Sequence, residues 1–470
     1  MRSFGRLKGN IFGGNMIRHN CGIFGVYNAE NAIDLTYYGL FELQHRGEEG
    51  AGIIANTPAG LFERKCEGLV SELVRGSSVK AFPPANSCIG QIRYSTTGGS
   101  SIANLQPFVV QYGDGFLALA HNGNLVNYCP IKRELVSHGA VFRSTTDSEI
   151  FLHLIAQSKK ANLTDAIISA LKRVEGAYSL LVLSPKELFA VRDPYGFRPL
   201  EMGKLNGATI FASETCALDF LGAEHICSVR RGELIRVSQN GVERVNILEN
   251  EPERFCLFEL IYFARPDSLV NGYNVYEFRK RLGKILAELY PVEADAVIPV
   301  PDSGFSAAIS FSQNSGIPLE LGLIRSYYIG RTFIAPRLHE RESDVVFKYS
   351  PLKSSIYGKR VVVIDDSIVR GTTSRRLIEI IRSAGAKEIH LRIASPPLKY
   401  PCFYGIDIPT REELIASSLD ILDIQRFLGV DSLFYLPLEK IVLPEHEDRF
   451  CTACFSGEYP VPVKDFQASL

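Results

Sequence analysis

The chain has 470 residues with 51 basic and 52 acidic side chains, a formal net charge of −1. That length exceeds a single ordinary core of ~100–200 residues, so two domains are expected. The even charge balance excludes a strong electrostatic footprint for nucleic acid or an anionic membrane, and no apolar run approaches the ~20 residues of a spanning helix.

Residues 1–20 carry Arg2, Arg6, Lys8 and Arg18 and no acidic residue. Gly5, Gly9, Gly13 and Gly14 interrupt every apolar stretch there. This rules out the continuous apolar block of a secretory signal and weakens an amphipathic transit helix. A short leader that is disordered or removed is expected, with Met16 as an alternative start. Ten cysteines in a long chain without a secretory signal point to a reducing, cytoplasmic compartment and not to a disulfide framework. Most of them are expected to be buried packing residues. Cys21, Cys256, Cys402, Cys451 and Cys454 stand where chemistry explains them better.

The first half reads as short strands, Cys21–Tyr27, Gly50–Ile54, Phe116–His121 and Tyr178–Ser184. Helical patterns lie between them at Ser148–Gln157 and Leu163–Val174. Gly232–Asn246 still alternates like strand, and the acidic run Glu249–Glu253 then marks a boundary. The expected division is a leader at 1–20, a first domain at 21–248 and a second at 249–470.

The second half alternates strand and helix. Ala294–Pro299 reads as a buried strand before a helix at Ser303–Phe311. Arg360–Ile364 is a continuous apolar strand, and Thr373–Ser383 places Leu377, Ile381 and Ala384 on one helix face. Gly385 ends that helix, and Glu388–Ala394 starts the next strand. Such a βαβ unit implies a parallel sheet with right-handed crossovers.

The most specific local pattern is Val361-Val-Val-Ile-Asp-Asp-Ser-Ile-Val-Arg-Gly-Thr-Thr-Ser374. An apolar strand ends on paired carboxylates, and a loop rich in hydroxyls runs into a helix. Backbone N–H groups at a helix N-terminus make a cradle for phosphate, and Gly371 lets the chain approach it closely. Asp365 and Asp366 sit where ligands bind in open α/β sheets, able to hold ribose hydroxyls or a magnesium-bound sugar phosphate. This stretch resembles the signature of type I phosphoribosyltransferases, which bind 5-phosphoribosyl-1-pyrophosphate (PRPP). The resemblance implies that Asp365 and Asp366 face the ribose while Ser367, Arg370, Gly371, Thr372, Thr373 and Ser374 surround the 5-phosphate. A second loop, Val300-Pro-Asp-Ser-Gly304, brings Ser303 toward the pyrophosphate or its Mg2+.

Cys21-Gly-Ile-Phe-Gly opens the first strand. Downstream lie Gln44-His-Arg-Gly, Gly90-Gln-Ile-Arg-Tyr-Ser-Thr-Thr-Gly98, His121-Asn-Gly-Asn-Leu-Val126 and Thr145-Thr-Asp-Ser-Glu149. Over about 230 residues these resemble the glutaminase domain of the N-terminal nucleophile amidotransferases. Amide hydrolysis needs a nucleophile, a base and donors for the oxyanion. A free α-amino group, of pKa about 7.7–8.0, serves as base only if Cys21 is residue one of the mature chain. Cleavage after Asn20 is therefore required by this reading. The resemblance implies an oxyanion hole from the Asn122 amide and the Gly123 N–H. It also implies that Arg93 pairs with the glutamine α-carboxylate and Asp147 with the α-ammonium group.

Cys256, Cys402 and Cys451-x-x-Cys454 supply four thiolates, a set that fits zinc or an iron–sulfur cluster. The contexts Phe255-Cys-Leu-Phe-Glu-Leu-Ile-Tyr-Phe-Ala-Arg-Pro-Asp-Ser268 and Pro401-Cys-Phe-Tyr-Gly-Ile-Asp407 resemble the cluster-binding class of amidophosphoribosyltransferases, which implies a 4Fe-4S cluster. Arg192-Asp-Pro-Tyr-Gly-Phe-Arg-Pro199 and Ile329-Gly-Arg-Thr-Phe-Ile334 extend the resemblance. The latter is similar to a loop that closes over PRPP, with Arg331 and Lys348 as phosphate contacts.

The expected fold is thus an αββα glutaminase domain followed by a type I phosphoribosyltransferase α/β domain. The implied reaction consumes glutamine, PRPP and water and yields 5-phosphoribosylamine, glutamate and pyrophosphate. Magnesium at Ser303, Asp365 and Asp366, inhibition by purine nucleotides and a homotetramer are implied with it. Two rivals are an amidotransferase sharing only the first domain and a PRPP-binding regulator without catalysis. The Asp365–Ser374 signature disfavours the first, and Cys21, Asn122 and Asp147 together disfavour the second.

Overall fold

The computed structural model describes residues 21–93, 102–247, 251–326, 349–442 and 449–463. The leader with Met16, and the loop residues Arg331 and Lys348, lie outside them. The chain forms two compact units. One comprises 21–279, 399–410 and the residues from Pro437 onward; the other comprises Lys280–Leu398 and Arg411–Leu436.

The first unit is built on two antiparallel sheets. Seven strands form one: β1 (Gly22–Tyr27), β2 (Gly50–Thr57), β3 (Gly60–Glu67), β4 (Ser87–Arg93), β9 (Glu201–Leu205), β10 (Ala208–Ala212) and β11 (Glu224–Ser228). Six form the other: β5 (Phe108–Tyr112), β6 (Gly115–Leu125), β7 (Gly176–Leu183), β8 (Leu188–Arg192), β12 (Glu233–Ser238) and β13 (Gly241–Asn246). Side chains alternate across each strand with period two. Ile23, Tyr27 and Ile89 therefore join Phe116, Ala118, Ala120 and Leu181 in a core between the sheets. Phe24, Val26 and Ile92 point the other way, against α1 (Ala32–Glu42) and α5 (Thr215–Phe220). On the outer face of the six-stranded sheet, Leu117, Leu119 and Leu180 pack on α2 (Tyr128–Ser137), α3 (Glu149–Gln157) and α4 (Leu163–Leu171). The layers are the αββα sandwich expected.

The second unit holds a parallel sheet in the order Ala296–Pro299, Arg360–Asp365, Glu388–Ile393, Ser432–Tyr435. A single parallel bridge joins Val297 to Leu319 on the far side of the first strand. The chain thus leaves Ala296–Pro299 toward one edge and returns at Arg360–Asp365 on the other side. Loops at the carboxyl ends of those two strands flank a topological switch point, where open α/β sheets bind ligands. The helix Thr372–Ser383 buries Leu377 and Ile381 as its spacing predicts, with Ala384 buried at its C-cap and Ile378 added to the face. The helix expected at Ser303–Phe311 runs instead over Phe305–Ser315.

The division differs from the expected 248/249 boundary. Residues 251–279 and the segments of Cys402, Cys451 and Cys454 belong with the first unit. Phe255–Cys256 pairs in parallel with Phe450–Cys451, Arg254 N donates to Tyr195 O at 2.7 Å, and the Tyr404 ring stacks on Phe197 at 4.3 Å. These long-range contacts override the acidic run as a boundary. Of the other cysteines, Cys88 and Cys216 are buried as expected, whereas Cys66, Cys129 and Cys227 are partly exposed.

Candidate active site

Antiparallel register pairs Gly22 with Ile92, which brings the residues just outside that pair, Cys21 and Arg93, together at one end of the seven-stranded sheet. Arg46 Nε donates to the Cys21 carbonyl at 3.3 Å, and Ile23 exchanges bonds of 3.0 Å with Ser213. The start of β1 is thereby fixed. Burial pushes the Cys21 thiol up, while the Arg93 charge and a hydrogen bond with Gln91 draw it down. Cys21 rests as a thiol and would need a base to act as a nucleophile.

Across the intersheet layer, Gln91 and His121 bond in both directions, Nε2 to O at 2.9 Å and N to Oε1 at 2.8 Å. This ties β4, bearing Arg93, to β6, bearing Asn122 and Gly123. Asn122 follows Ala118 and Ala120 on the inner face of β6. Its side chain is fully buried, yet both amide atoms lack a hydrogen-bond partner among the described residues. A buried amide in that state costs roughly 1–3 kcal/mol, a cost that a reacting oxyanion would offset.

Asp147 sits in a constructed loop. Its Oδ2 accepts from Leu125 N at 2.7 Å, and His121 Nδ1 lies 4.0 Å from Oδ1. Glu149 closes the loop by accepting from the N–H groups of Arg143 (2.8 Å) and Ser144 (2.7 Å). Bonds from His153, Ser144 and Arg143 outweigh its burial and lower the Glu149 carboxyl to about 2. Burial lowers His121 below the ordinary histidine range, so it stays neutral against Ser148 Oγ at 2.8 Å.

Sequence reasoning missed the charges beneath Cys21. Arg46, fully buried, pairs with Glu214 and, at 2.6 Å, with Glu259; Arg198 lies 2.6 Å from the same Glu259 carboxylate. Arg46 belongs to the quoted Gln44-His-Arg-Gly stretch, but nothing in its spacing announces partners 168 and 213 residues away.

The four thiols of Cys256, Cys402, Cys451 and Cys454 lie in this same unit, near enough that Cys402 raises Cys256, Cys256 and Cys402 raise Cys451, and all three raise Cys454. Burial is the larger cause and holds Cys256 near about 12. Arg198 opposes it at Cys256, Cys402 and Cys451.

In the second unit, Ser303 Oγ donates to Asp366, whose other oxygen accepts from Ser367 Oγ at 2.5 Å. Burial, then the neighbouring Asp366 charge, pushes the Asp365 carboxyl well above the carboxylate range. Gly371, at φ +76, turns the chain into Thr372–Ser383 without a side-chain cap, so the first turn of Thr372, Thr373 and Ser374 presents backbone N–H groups. Arg370 is held by Glu413 at 2.6 Å.

Fold and sites define a glutamine amidotransferase joined to a phosphoribosyltransferase. A glutamine amidotransferase domain model matches residues 93–220 and a phosphoribosyl transferase domain model matches 274–394. The chain is 46% identical to the chloroplastic amidophosphoribosyltransferase of Glycine max, over 96% of this chain and 80% of that protein. It is 44% identical to the Bacillus subtilis amidophosphoribosyltransferase over 95% of each chain. A solved glutamine PRPP amidotransferase from B. subtilis, complexed with ADP and GMP, is 43% identical with TM-score 0.89, covering 94% of this chain and 98% of that one. The chain belongs to the amidophosphoribosyltransferase family. It is an enzyme that hydrolyses glutamine and transfers the ammonia to PRPP, the first step of purine biosynthesis.

Proposed function

We propose that Cys21 is the nucleophile and that its own α-amino group, exposed by removal of residues 1–20, is the base. The observation carrying this reading is the unpartnered, buried Asn122 amide on the same intersheet face as Cys21 and Arg93. Cys21 Sγ attacks the glutamine side-chain amide while Asn122 Nδ2 and Gly123 N–H receive the oxyanion. The amine carries the thiol proton to departing ammonia, and a thioester remains for water to cleave. Arg93 and Asp147 hold the α-carboxylate and α-ammonium groups of the substrate.

In the second unit, Asp365 and Asp366 face the ribose of PRPP, and Ser367, Arg370, Gly371, Thr372, Thr373 and Ser374 hold its 5-phosphate. Ser303, Asp365 and Asp366 offer the oxygen ligands that suit Mg2+, and the crowding of two carboxylates is relieved by a cation. Bound magnesium would neutralise charge on the departing pyrophosphate. Arg331 and Lys348 are assigned to phosphate.

Cys256, Cys402, Cys451 and Cys454 fit a 4Fe-4S cluster in donor type and number. A cluster there would be structural, because the net reaction moves no electrons.

Because the related B. subtilis structure is complexed with ADP and GMP, purine nucleotides are assigned here as feedback inhibitors. A homotetramer and a cytoplasmic location complete the reading. Among the described residues no helix is long and apolar enough to cross a membrane.

Anaerobic purification, iron analysis and N-terminal sequencing test these assignments together. About four irons per chain and Cys21 as residue one are expected. Stoichiometric zinc overturns the cluster, and a fully glutamine-active chain still bearing residues 1–20 overturns the base.

A further inference from the structure

The segment carrying Cys402 touches the strand that carries the oxyanion-hole residues, within the same unit. Asn124 Nδ2 donates to the Phe403 carbonyl at 2.9 Å. Gly405 lies so close to Gly123 that a Cβ on it would stand 2.9 Å from the Gly123 carbonyl carbon and 3.0 Å from its Cα. A Cβ on Gly123 would in turn meet the Ala177 carbonyl oxygen at 2.0 Å. The Gly123 backbone is thus in close contact with both β7 and the 402–405 segment. That segment is itself held, because Tyr404 stacks on Phe197 at 4.3 Å and its hydroxyl donates to Val461 O at 2.7 Å. Asn124 is only 3% exposed and has no part in the chemistry assigned above.

An oxyanion donor acts only if it is aimed before charge develops, and sub-ångström looseness in its support is expensive. We infer that Asn124 is a positioning residue for glutamine hydrolysis, and that Phe403–Gly405 is the buttress that aims the Gly123 N–H. This rests on the assignment of Gly123 to the oxyanion hole. Asn124 touches no substrate; it acts by holding β6 against the buttress. If the four cysteines bind a cluster, that cluster anchors the buttress at its Cys402 end, which would couple its integrity to glutamine turnover.

Asn124→Asp keeps the side-chain volume and removes the donated N–H. Glutamine kcat should fall about tenfold or more while KM stays within about twofold, the signature of an interaction made in the transition state. Alkylation of Cys21 by iodoacetamide needs no oxyanion hole and should keep its rate, as should ammonia-dependent synthesis. Unchanged kcat overturns the proposal; so does a joint collapse of kcat, KM and alkylation, which marks general disorder of the site. Asn122→Ala, run alongside, separates the two readings, because unchanged turnover there removes the oxyanion hole itself. Should Asn124→Asp not fold, hydrogen exchange on the unmodified chain decides. Capture of Cys21 by a chloroketone analogue of glutamine should protect 122–125 and 402–405 together, and protection confined to 122–125 overturns the buttress.

Discussion

Gln91 and His121 hold each other in both directions, side-chain amide against backbone, at 2.9 and 2.8 Å. Through that pair the strand bearing Arg93 is locked to the strand bearing Asn122, although 30 residues separate them in sequence. Gln91→Leu should therefore damage this geometry and remove the hydrogen bond to the Cys21 thiol, while leaving Cys21 itself in place. Leaving the His121 backbone unsatisfied should lower stability by about 1–3 kcal/mol, and the resulting misplacement of Arg93 and Asn122 should lower kcat/KM for glutamine by about tenfold or more. Ammonia-dependent synthesis, which uses the other unit, should stay within about twofold, and paired steady-state assays check this.

Asn122→Ala removes the orphaned amide. Loss of one oxyanion donor typically costs about 10²–10³ in kcat, and glutamine KM should change little because the donor serves the transition state. Cys21→Ala should abolish glutamine-dependent synthesis outright and spare the ammonia-dependent reaction. Loss of both activities in a folded Cys21→Ala protein would contradict two separate sites.

Glu259 sits between two buried guanidinium groups, Arg46 and Arg198. Glu259→Gln leaves both cations without their shared counter-charge, and breaking a buried pair in this way costs about 3–5 kcal/mol. Urea unfolding should show a lower midpoint. Glutamine turnover should fall as well, because Arg46 also holds the Cys21 carbonyl.

Glu149 gives a pH dependence of defined sign. Its folded carboxyl lies near about 2, below the ~4.3 of an unfolded glutamate. Its contribution to stability is complete above the unfolded value and is lost as pH falls through about 2. Glu149→Gln should therefore lower stability at pH 7 and converge on the unmodified protein in strong acid. Thermal melts of both chains from pH 7 to pH 2 measure the difference.

Asp365→Asn should reduce glutamine- and ammonia-dependent synthesis alike, by about a hundredfold or more if the carboxylates hold substrate and metal. Alkylation of Cys21 by iodoacetamide should be unaffected. A selective loss of the glutamine-dependent reaction would contradict the assignment to PRPP.

The sequence by itself determined strands such as Cys21–Tyr27 and Arg360–Ile364 and the helix at Thr373–Ser383, because each rests on local pattern, and its motifs carried the resemblance that implied the two chemistries. Period-two alternation around Cys21–Tyr27 and the apolar run ending at Asp365-Asp366 are properties of neighbouring residues. Tertiary structure decided what depends on distant partners. It placed Glu214 and Glu259 against Arg46, left the Asn122 amide without a hydrogen-bond partner among the described residues and engaged Arg370 with Glu413. It also moved the four cysteines out of the phosphoribosyltransferase unit, since Phe450–Cys451 finds its strand partner at Phe255–Cys256. Local periodicity shows which face a residue occupies. It cannot specify which remote segment comes to cover that face, because pairing across some 190 residues leaves no trace in the spacing of either strand.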